Sequence, residues 1–380
     1  TLCSRHQPAR LSRAAEGMDW CAPLTYTIKG AGVINGTPGF DVIHGSPGRD
    51  IIKTNGGGDV VCGFGGNDDI TGDEENGQYF GGDGNDTIRG LGGTDGLVGG
   101  AGNDSLAGGD GSDSISGGAG NDKMTLGDGT DYAYGDDDPR VSLTGPGGSD
   151  RIYGQGGGDY IYGQAGNDSI SSNAGDDVIN AGTGNDKIVT GSGLDEVDGW
   201  DGDDRIYGEA DDDRLSGGPG NDAISASSGN DQVFGEDGDD RTVGGPGDDL
   251  LFGGTGNDTV DGGSGGDTIR GGSGSDSIDG GSGDDAISGD APGAIASSGN
   301  SDVIYGGSGD DSIAGTALYA MNPPENASAD EIHGGPGADE IGGSDGNDRL
   351  LGDSGIDTVY GHAGTDVCMD TADSLIGCEP

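Results

Sequence analysis

Along this chain one aliphatic residue returns every nine positions, and little else that is apolar accompanies it. Ile43, Ile52, Val61, Ile70, Ile88, Leu97, Leu106 and Ile115 open a series that continues to Val359. Such a pattern fits neither the 3.6-residue period of an amphipathic helix nor the strict alternation of a long strand. It predicts a three-residue strand, x-U-x, whose aliphatic U points inward while its two neighbours point outward. The six residues between strands are rich in Gly, which permits positive φ and close approach of backbones. A fixed internal period is the mark of a solenoid, where each unit buries its apolar face only against its neighbours.

Polar residues keep the same clock. Two positions before each aliphatic stands Asp: Asp41, Asp50, Asp59, Asp68, then Gly77 in the slot, then Asp86, Asp95, Asp104, Asp113, Asp122 and Asp131. A second run is unbroken: Asp150, Asp159, Asp168, Asp177, Asp186, Asp195, Asp204, Asp213, Asp222, Asp231, Asp240, Asp249, Asp258, Asp267, Asp276 and Asp285. Asp302 and Asp311 follow, then Asp330, Asp339, Asp348, Asp357 and Asp366. Two residues before these aspartates sits Gly, as at Gly39, Gly48, Gly57, Gly66 and Gly84. The unit reads G-G-x-G-N/D-D-x-U-x, and Gly218-Pro219-Gly220-Asn221-Asp222-Ala223-Ile224 shows it. The clock slips near 136–149, 290–301 and 316–329. We read these as loops, the first and third adding one residue to a coil. Asn326-Ala327-Ser328 in the third is a weak glycosylation sequon.

Composition changes the picture in one respect. Only 29% of the 380 residues are hydrophobic, and 70 acids face 16 bases, a net charge of −54. Low hydropathy with high charge ordinarily means disorder; the strict placement of the aliphatics argues for order instead. So dense a polyanion repels itself when compact, so cations must bind. It is a poor partner for nucleic acid or an anionic membrane. No apolar run is long enough to span a bilayer. Residues 1–20 hold Arg5, Arg10 and Arg13 without the apolar stretch of a signal peptide.

The unit resembles the nonapeptide of RTX, or haemolysin-type, calcium-binding proteins, over roughly residues 30–370. That resemblance implies an all-β fold: a right-handed parallel β-roll, or β-solenoid, with two nonapeptides per coil and about nineteen coils. Each in-phase Asp then faces the turn one coil away, so Asp150 stacks with Asp168 and Asp159 with Asp177. Clefts between stacked turns offer carboxylates and carbonyls, the hard oxygen ligands that Ca²⁺ takes six to eight at a time. Neutralising a charge of −54 takes about 27 divalent ions, and one cleft per repeat leaves roughly 25–30 sites. The in-phase aspartates are therefore the candidate metal ligands and Ca²⁺ the cofactor. Folding is expected to wait for metal, and so to follow export from a low-calcium cytosol.

Cysteines cluster at the ends: Cys3, Cys21, Cys62, Cys368 and Cys378. Cys368–Cys378 closes a short terminal loop, and Cys21–Cys62 pins the N-terminal segment to the first coils, leaving Cys3 over. A zinc site is the rival reading, but no Cys-x-x-Cys exists and His6, His44, His333 and His362 are scattered. Disulfides imply an extracellular, secreted or cell-surface setting. The expected organisation is an arm or cap over 1–30, the roll over 31–370 and a disulfide-closed cap over 371–380. Pro8 to Gly17 reads equally as a short capping helix or a frayed arm.

No catalytic constellation emerges. Gly262-Gly263-Ser264-Gly265-Gly266 matches G-x-S-x-G, but it lies inside the repeat without the strand–turn–helix context that chemistry needs. The expectation is a non-enzymatic structural or adhesive module. The alternatives are a glycan- or ice-binding face, or a detached repeat tail of a secreted RTX enzyme. Thr183 and Thr255 stand four coils apart, too far to form an ice-binding rank. Aromatics fall three residues after the Asp slot at Phe80, Tyr134, Tyr153, Tyr162, Tyr207, Phe234, Phe252, Tyr305 and Tyr360. Tyr134 with Tyr153, and Phe234 with Phe252, are the expected neighbours. Strand-to-strand stacking and a platform for sugar or protein are the two readings. End-to-end self-association is a further expectation.

Overall fold

The computed structural model describes residues 27–136, 147–290, 301–309, 311–315, 329–343, 346–362, 364–369 and the backbone of 374–376. Among these every regular element is a strand, 37 in number, and none is a helix. The reason is local. Along Arg205–Ala210, Ile206 and Gly208 are buried while Arg205, Tyr207 and Glu209 are exposed, the alternation of a strand with one wet face. Glycines at the second and fourth places of the turn carry positive φ, 105° at Gly218 and 154° at Gly220. They reverse the chain into the next strand.

Two compact units divide the chain, Thr1–Gly182 and Thr183–Pro380. Inside each, a strand pairs in parallel with the strand two places along, so successive strands alternate between two sheets. In the first unit Ser105–Asp110 lies between Thr87–Gly92 and Lys123–Asp128. Ser114–Ala119 lies between Gly96–Ala101 and Tyr132–Tyr134 in the other sheet. In the second, Arg205–Ala210 lies between Lys187–Ser192 and Ala223–Ser228. Gln232–Asp237 lies between Arg214–Pro219 and Leu250–Thr255. Leu106 stacks on Met124 and Ile206 on Ile224, eighteen residues apart, so one coil holds two repeats. Two strands per coil agree with about nineteen coils. The core is a file of single side chains: Ile43, Ile52, Val61, Ile70, Ile206 and Leu215 are each 0% exposed.

The interruptions leave the register intact, and their arithmetic corrects the expected one. Asp122 stacks on Asp150 and Asp131 on Asp159, 28 residues apart. The first slip is therefore a ten-residue insertion within one turn, not one residue added to a coil. The third is alike, with Asp302 and Asp330 also 28 apart, and the second puts Asp276 and Asp302 26 apart. The inserted segments 137–146, 291–300 and 316–328, including Asn326, lie outside the described residues. One consequence is that Tyr134 faces Tyr162, not Tyr153, which sits in the opposite sheet beside Thr125.

Glycine at the fourth turn position is a packing requirement. A Cβ on Gly238, at φ 141°, would stand 1.6 Å from the Gly220 carbonyl oxygen in the coil below. At Gly39 a Cβ meets nothing within 4 Å. Gly238→Ala is therefore expected to cost well beyond the ~1 kcal/mol of an average substitution, and Gly39→Ala to cost little. Thermal unfolding in calcium would show it; equal midpoints would contradict this account of stacking.

Candidate metal centres

Each turn delivers its Asp to the inside. The six-residue bend folds the carboxylate under the turn, and the in-phase aspartates of both units are buried, Asp59 and Asp159 completely. One oxygen has a protein partner. The Asp86 backbone N–H donates to Asp104 Oδ1 at 2.7 Å, and the Asp204 N–H to Asp222 Oδ1 at 2.7 Å. The expected stacking of Asp150 with Asp168 and of Asp159 with Asp177 is present, each bond 2.8 Å.

The other oxygen is different. At Asp86, Asp104, Asp122 and Asp150 in the first unit, and at Asp204, Asp222, Asp240 and Asp258 in the second, Oδ2 is buried and accepts no hydrogen bond. It faces a second oxygen. A point where Gly81 would carry a Cβ lies 2.3 Å from Asp86 Oδ2 and 2.6 Å from the Gly99 carbonyl oxygen. At Gly253 the corresponding distances are 2.6 Å to Asp258 Oδ2 and 2.5 Å to Gly271 O. Two acceptors thus converge with no donor between them, in a space that a methyl group would fill. Leaving buried acceptors unsatisfied costs ~1–3 kcal/mol each, more when charged. Paired acceptors without a donor are the kind of hard-oxygen surroundings that Ca²⁺ takes.

No group of three or more His, Cys, Asp or Glu side chains converges among the described residues. An ion in these clefts would draw on backbone carbonyls as well as carboxylates. Both His333 ring nitrogens face carboxylates at 3.4 Å, Glu331 and Asp353, away from the ladder. Burial drives the carboxyls upward. Asp95 and Asp104 rise to about 7, and Asp159 and Asp213 to about 8. The aspartate one coil away adds repulsion, while the backbone N–H bond partly offsets both.

The empty slot at Gly77 is filled in a way the period does not show. Its backbone N–H still donates to Asp95 Oδ1 at 2.6 Å. The missing carboxylate is replaced by Tyr79, fully buried at the aliphatic position. Where Gly72 would carry a Cβ, the Tyr79 Oη lies 2.5 Å away and Gly90 O 2.4 Å away. A phenol oxygen therefore stands where Oδ2 stands elsewhere, and burial pushes its ionisation well above the ordinary value. The signal in the sequence is the pairing of Gly at the Asp slot with an aromatic two residues later.

A second ladder also escaped the repeat pattern. Asn103 N–H donates to Asn85 Oδ1 and Asn121 N–H to Asn103 Oδ1, both at 3.0 Å. In the other unit Asn221 N–H donates to Asp203 Oδ1 at 2.9 Å. These bonds run from the later coil to the earlier, opposite to the Asp ladder, which explains the preference for Asn or Asp before the ligand Asp. Aromatics stack along the strands: Tyr134 on Tyr162 and Phe234 on Phe252, centroids 5.2 Å apart. Cys62 and Cys368 are each in a disulfide, while Cys3, Cys21 and Cys378 lie outside the described residues. Ser264 of the G-x-S-x-G match ends the strand Thr259–Ser264, and another strand follows. No described helix is long and apolar enough to cross a membrane.

The RTX calcium-binding nonapeptide repeat matches this chain in successive and overlapping segments, among them 28–61, 71–106, 144–179, 207–242, 261–291 and 342–369. The matches cover most of the chain, and it belongs to that family, whose repeats bind calcium. No curated protein matches it.

The raised carboxyls have a consequence without metal. In the unfolded chain they lose protons near 3.8; folded, they hold them to about 7 or 8. The folded form therefore binds more protons in between. Metal-free stability is greatest below about pH 4 and is lost as pH rises through 7–8. Circular dichroism of the metal-stripped chain between pH 4 and 9 should show β-signal fading upward. A profile that is flat or rises with pH would contradict the buried, unpaired carboxylates.

Proposed function

We propose that this member of the RTX calcium-binding nonapeptide repeat family is an exported structural or adhesive β-roll whose folding is driven by Ca²⁺. The observation that carries the reading is the file of buried carboxylate oxygens, with a carbonyl of the next coil opposite them at many turns, as at Asp86 and Asp258. The in-phase aspartates from Asp41 to Asp366 are the proposed ligands. The turn carbonyls of adjoining coils complete each set, as at Gly99 and Gly271. When bound, the ion supplies the positive charge that the clefts lack. The chain's own residues do the rest: the backbone N–H fixes Oδ1, glycine at the inward position leaves room at most turns, and the aliphatic file closes the coil. Without metal, unpaired carboxylates and a net charge of −54 oppose compaction.

Export follows from the same energetics. Extracellular calcium modules bind at about 10⁻⁴–10⁻³ M, far above the calcium level of cytosol, so such a chain stays open inside the cell and closes outside. Disulfides Cys21–Cys62 and Cys368–Cys378, the proposed staples of the N-terminal arm and the cap over 371–380, suit the oxidising side of the membrane. The repeats occupy nearly the whole chain, which supports a structural role over catalysis.

Equilibrium dialysis tests the assignment. The chain should take up roughly 25–30 Ca²⁺. Asp204→Asn with Asp222→Asn should lower the number, and Gly77→Asp with Tyr79→Ile should raise it by restoring the missing carboxylate. A folded chain that binds no calcium would end the proposal; unchanged stoichiometry in both variants would remove the ladder as its ligand set.

A further inference from the structure

Basic residues are scarce here, 16 against 70 acids, so their placement is informative. In two places a cation meets an acid in register on the neighbouring strand: Glu196 beside Arg214, and Glu331 beside Arg349. Arg89 reaches Asp69 at 2.8 Å. Two other places reverse the rule. Lys123 is in register with Arg151 in the first unit, and Lys187 with Arg205 in the second. Like charges directly opposite each other on adjacent strands destabilise a sheet, and a polyanion has acids in abundance to place there instead. The Arg151, Lys187 and Arg205 side chains are exposed and, among the described residues, make no ion pair, hydrogen bond or ring contact. Among the described residues only Lys123 of these four has a partner, the Tyr153 ring.

Both pairs come with the same third residue. Arg151-Ile152-Tyr153-Gly154 and Arg205-Ile206-Tyr207-Gly208 are the same four residues in two units. The isoleucine faces the core and the arginine and tyrosine point out from one strand. Tyr153 and Tyr207 are 38% and 36% exposed, and neither stacks on another ring. Their in-register neighbours are small or aliphatic: Thr125 and Ser171 for Tyr153, Val189 and Ser225 for Tyr207. In the same sheet Tyr305 is consumed by stacking on His333, and in the other sheet Tyr134 stacks on Tyr162 and Phe234 on Phe252. Lys123 Nζ lies 5.7 Å from the Tyr153 ring centroid. Two acids share these strands: Glu209 follows two residues after Tyr207, where the first unit has Gln155, and Asp128 ends the strand that begins at Lys123.

We propose that each unit carries one site for an anionic saccharide: Lys123, Arg151 and Tyr153 in the first, Lys187, Arg205 and Tyr207 in the second. An open aromatic face takes the C–H face of a pyranose ring. Two cations one strand apart hold a carboxylate or sulfate beside it, Arg through its planar fork. An acidic peptide would use the cations but leave the ring without a partner. Calcium in the clefts cancels the field that repels such a ligand at long range, so this inference rests on the calcium-loaded roll proposed above.

The test uses the full chain in millimolar calcium, with binding measured to dextran sulfate, hyaluronate and uncharged dextran. Circular dichroism in the same buffer reports the roll separately. The expected result is retention on one or both charged polymers and none on dextran, weakened at least tenfold in the sextuple Ser variant of the six residues. Tyr153→Ser with Tyr207→Ser alone should weaken binding several-fold. Arg349→Ser, which removes a cation already paired with Glu331, should leave it unchanged. Sulfate and carboxylate recognition separate on the two charged arms. A folded chain that binds neither, or binds equally in all variants, overturns the inference. So does loss of self-association, rather than of polysaccharide binding, in the sextuple variant. A chain that stays unfolded in calcium would sink the calcium reading instead.

Discussion

A carboxylate buried with one oxygen satisfied and the other pointing at a carbonyl is the interaction on which this molecule depends. It recurs along both units, interrupted at Gly77 and at the insertions, and two facing acceptors oppose stacking unless a cation stands between them. The aliphatic file is one side chain wide, so the hydrophobic term per coil is small, on the order of 1.5–3 kcal/mol for each buried Ile, Leu or Val. Ordering eighteen residues costs more than two such side chains return. The strand ladders and the Asn/Asp ladder add hydrogen bonds, each of modest net value. The balance therefore turns on whether the cleft oxygens are unpaired or ligated.

Glycine makes that arrangement attainable. At the inward first position of the turn it vacates the space into which Oδ2 and the carbonyl converge. At the fourth it permits backbones to touch. The second position is more tolerant, and there the chain spends stability: Phe64, Leu91, Trp200, Glu209 and Glu236 hold positive φ without being glycine. Such residues cost on the order of 1–3 kcal/mol each and persist because the coils on either side over-determine them. The same over-determination explains the insertions. Ten residues can be added in a turn, between Asp122 and Asp150, while the strands Lys123–Asp128 and Arg151–Gly156 remain in register.

The period made the strands, the two-repeat coil and the ligand file legible, because a thin solenoid leaves each position only one environment. Asp159 and Ile161 could be placed from spacing alone. What escaped was whatever depends on two irregularities at once. Tyr79 is intelligible only with Gly77, since a phenol at the aliphatic slot is a clash until the carboxylate is gone. Spacing alone pairs Tyr134 with the wrong tyrosine, because a nineteen-residue gap looks like a coil plus one when it is a repeat plus ten. The second ladder was hidden in a consensus that tolerates Asn and Asp equally, for both present an oxygen to the N–H of the next coil.

The central claim is that these clefts must be filled before the chain can close. Far-UV circular dichroism at pH 7.5, titrated with calcium from a metal-free start, tests it most directly. The account predicts a cooperative coil-to-β transition near millimolar calcium, absent with magnesium, which demands tighter octahedral geometry and retains its waters. A chain already β-rich in chelator at that pH, and unmoved by calcium, would contradict it.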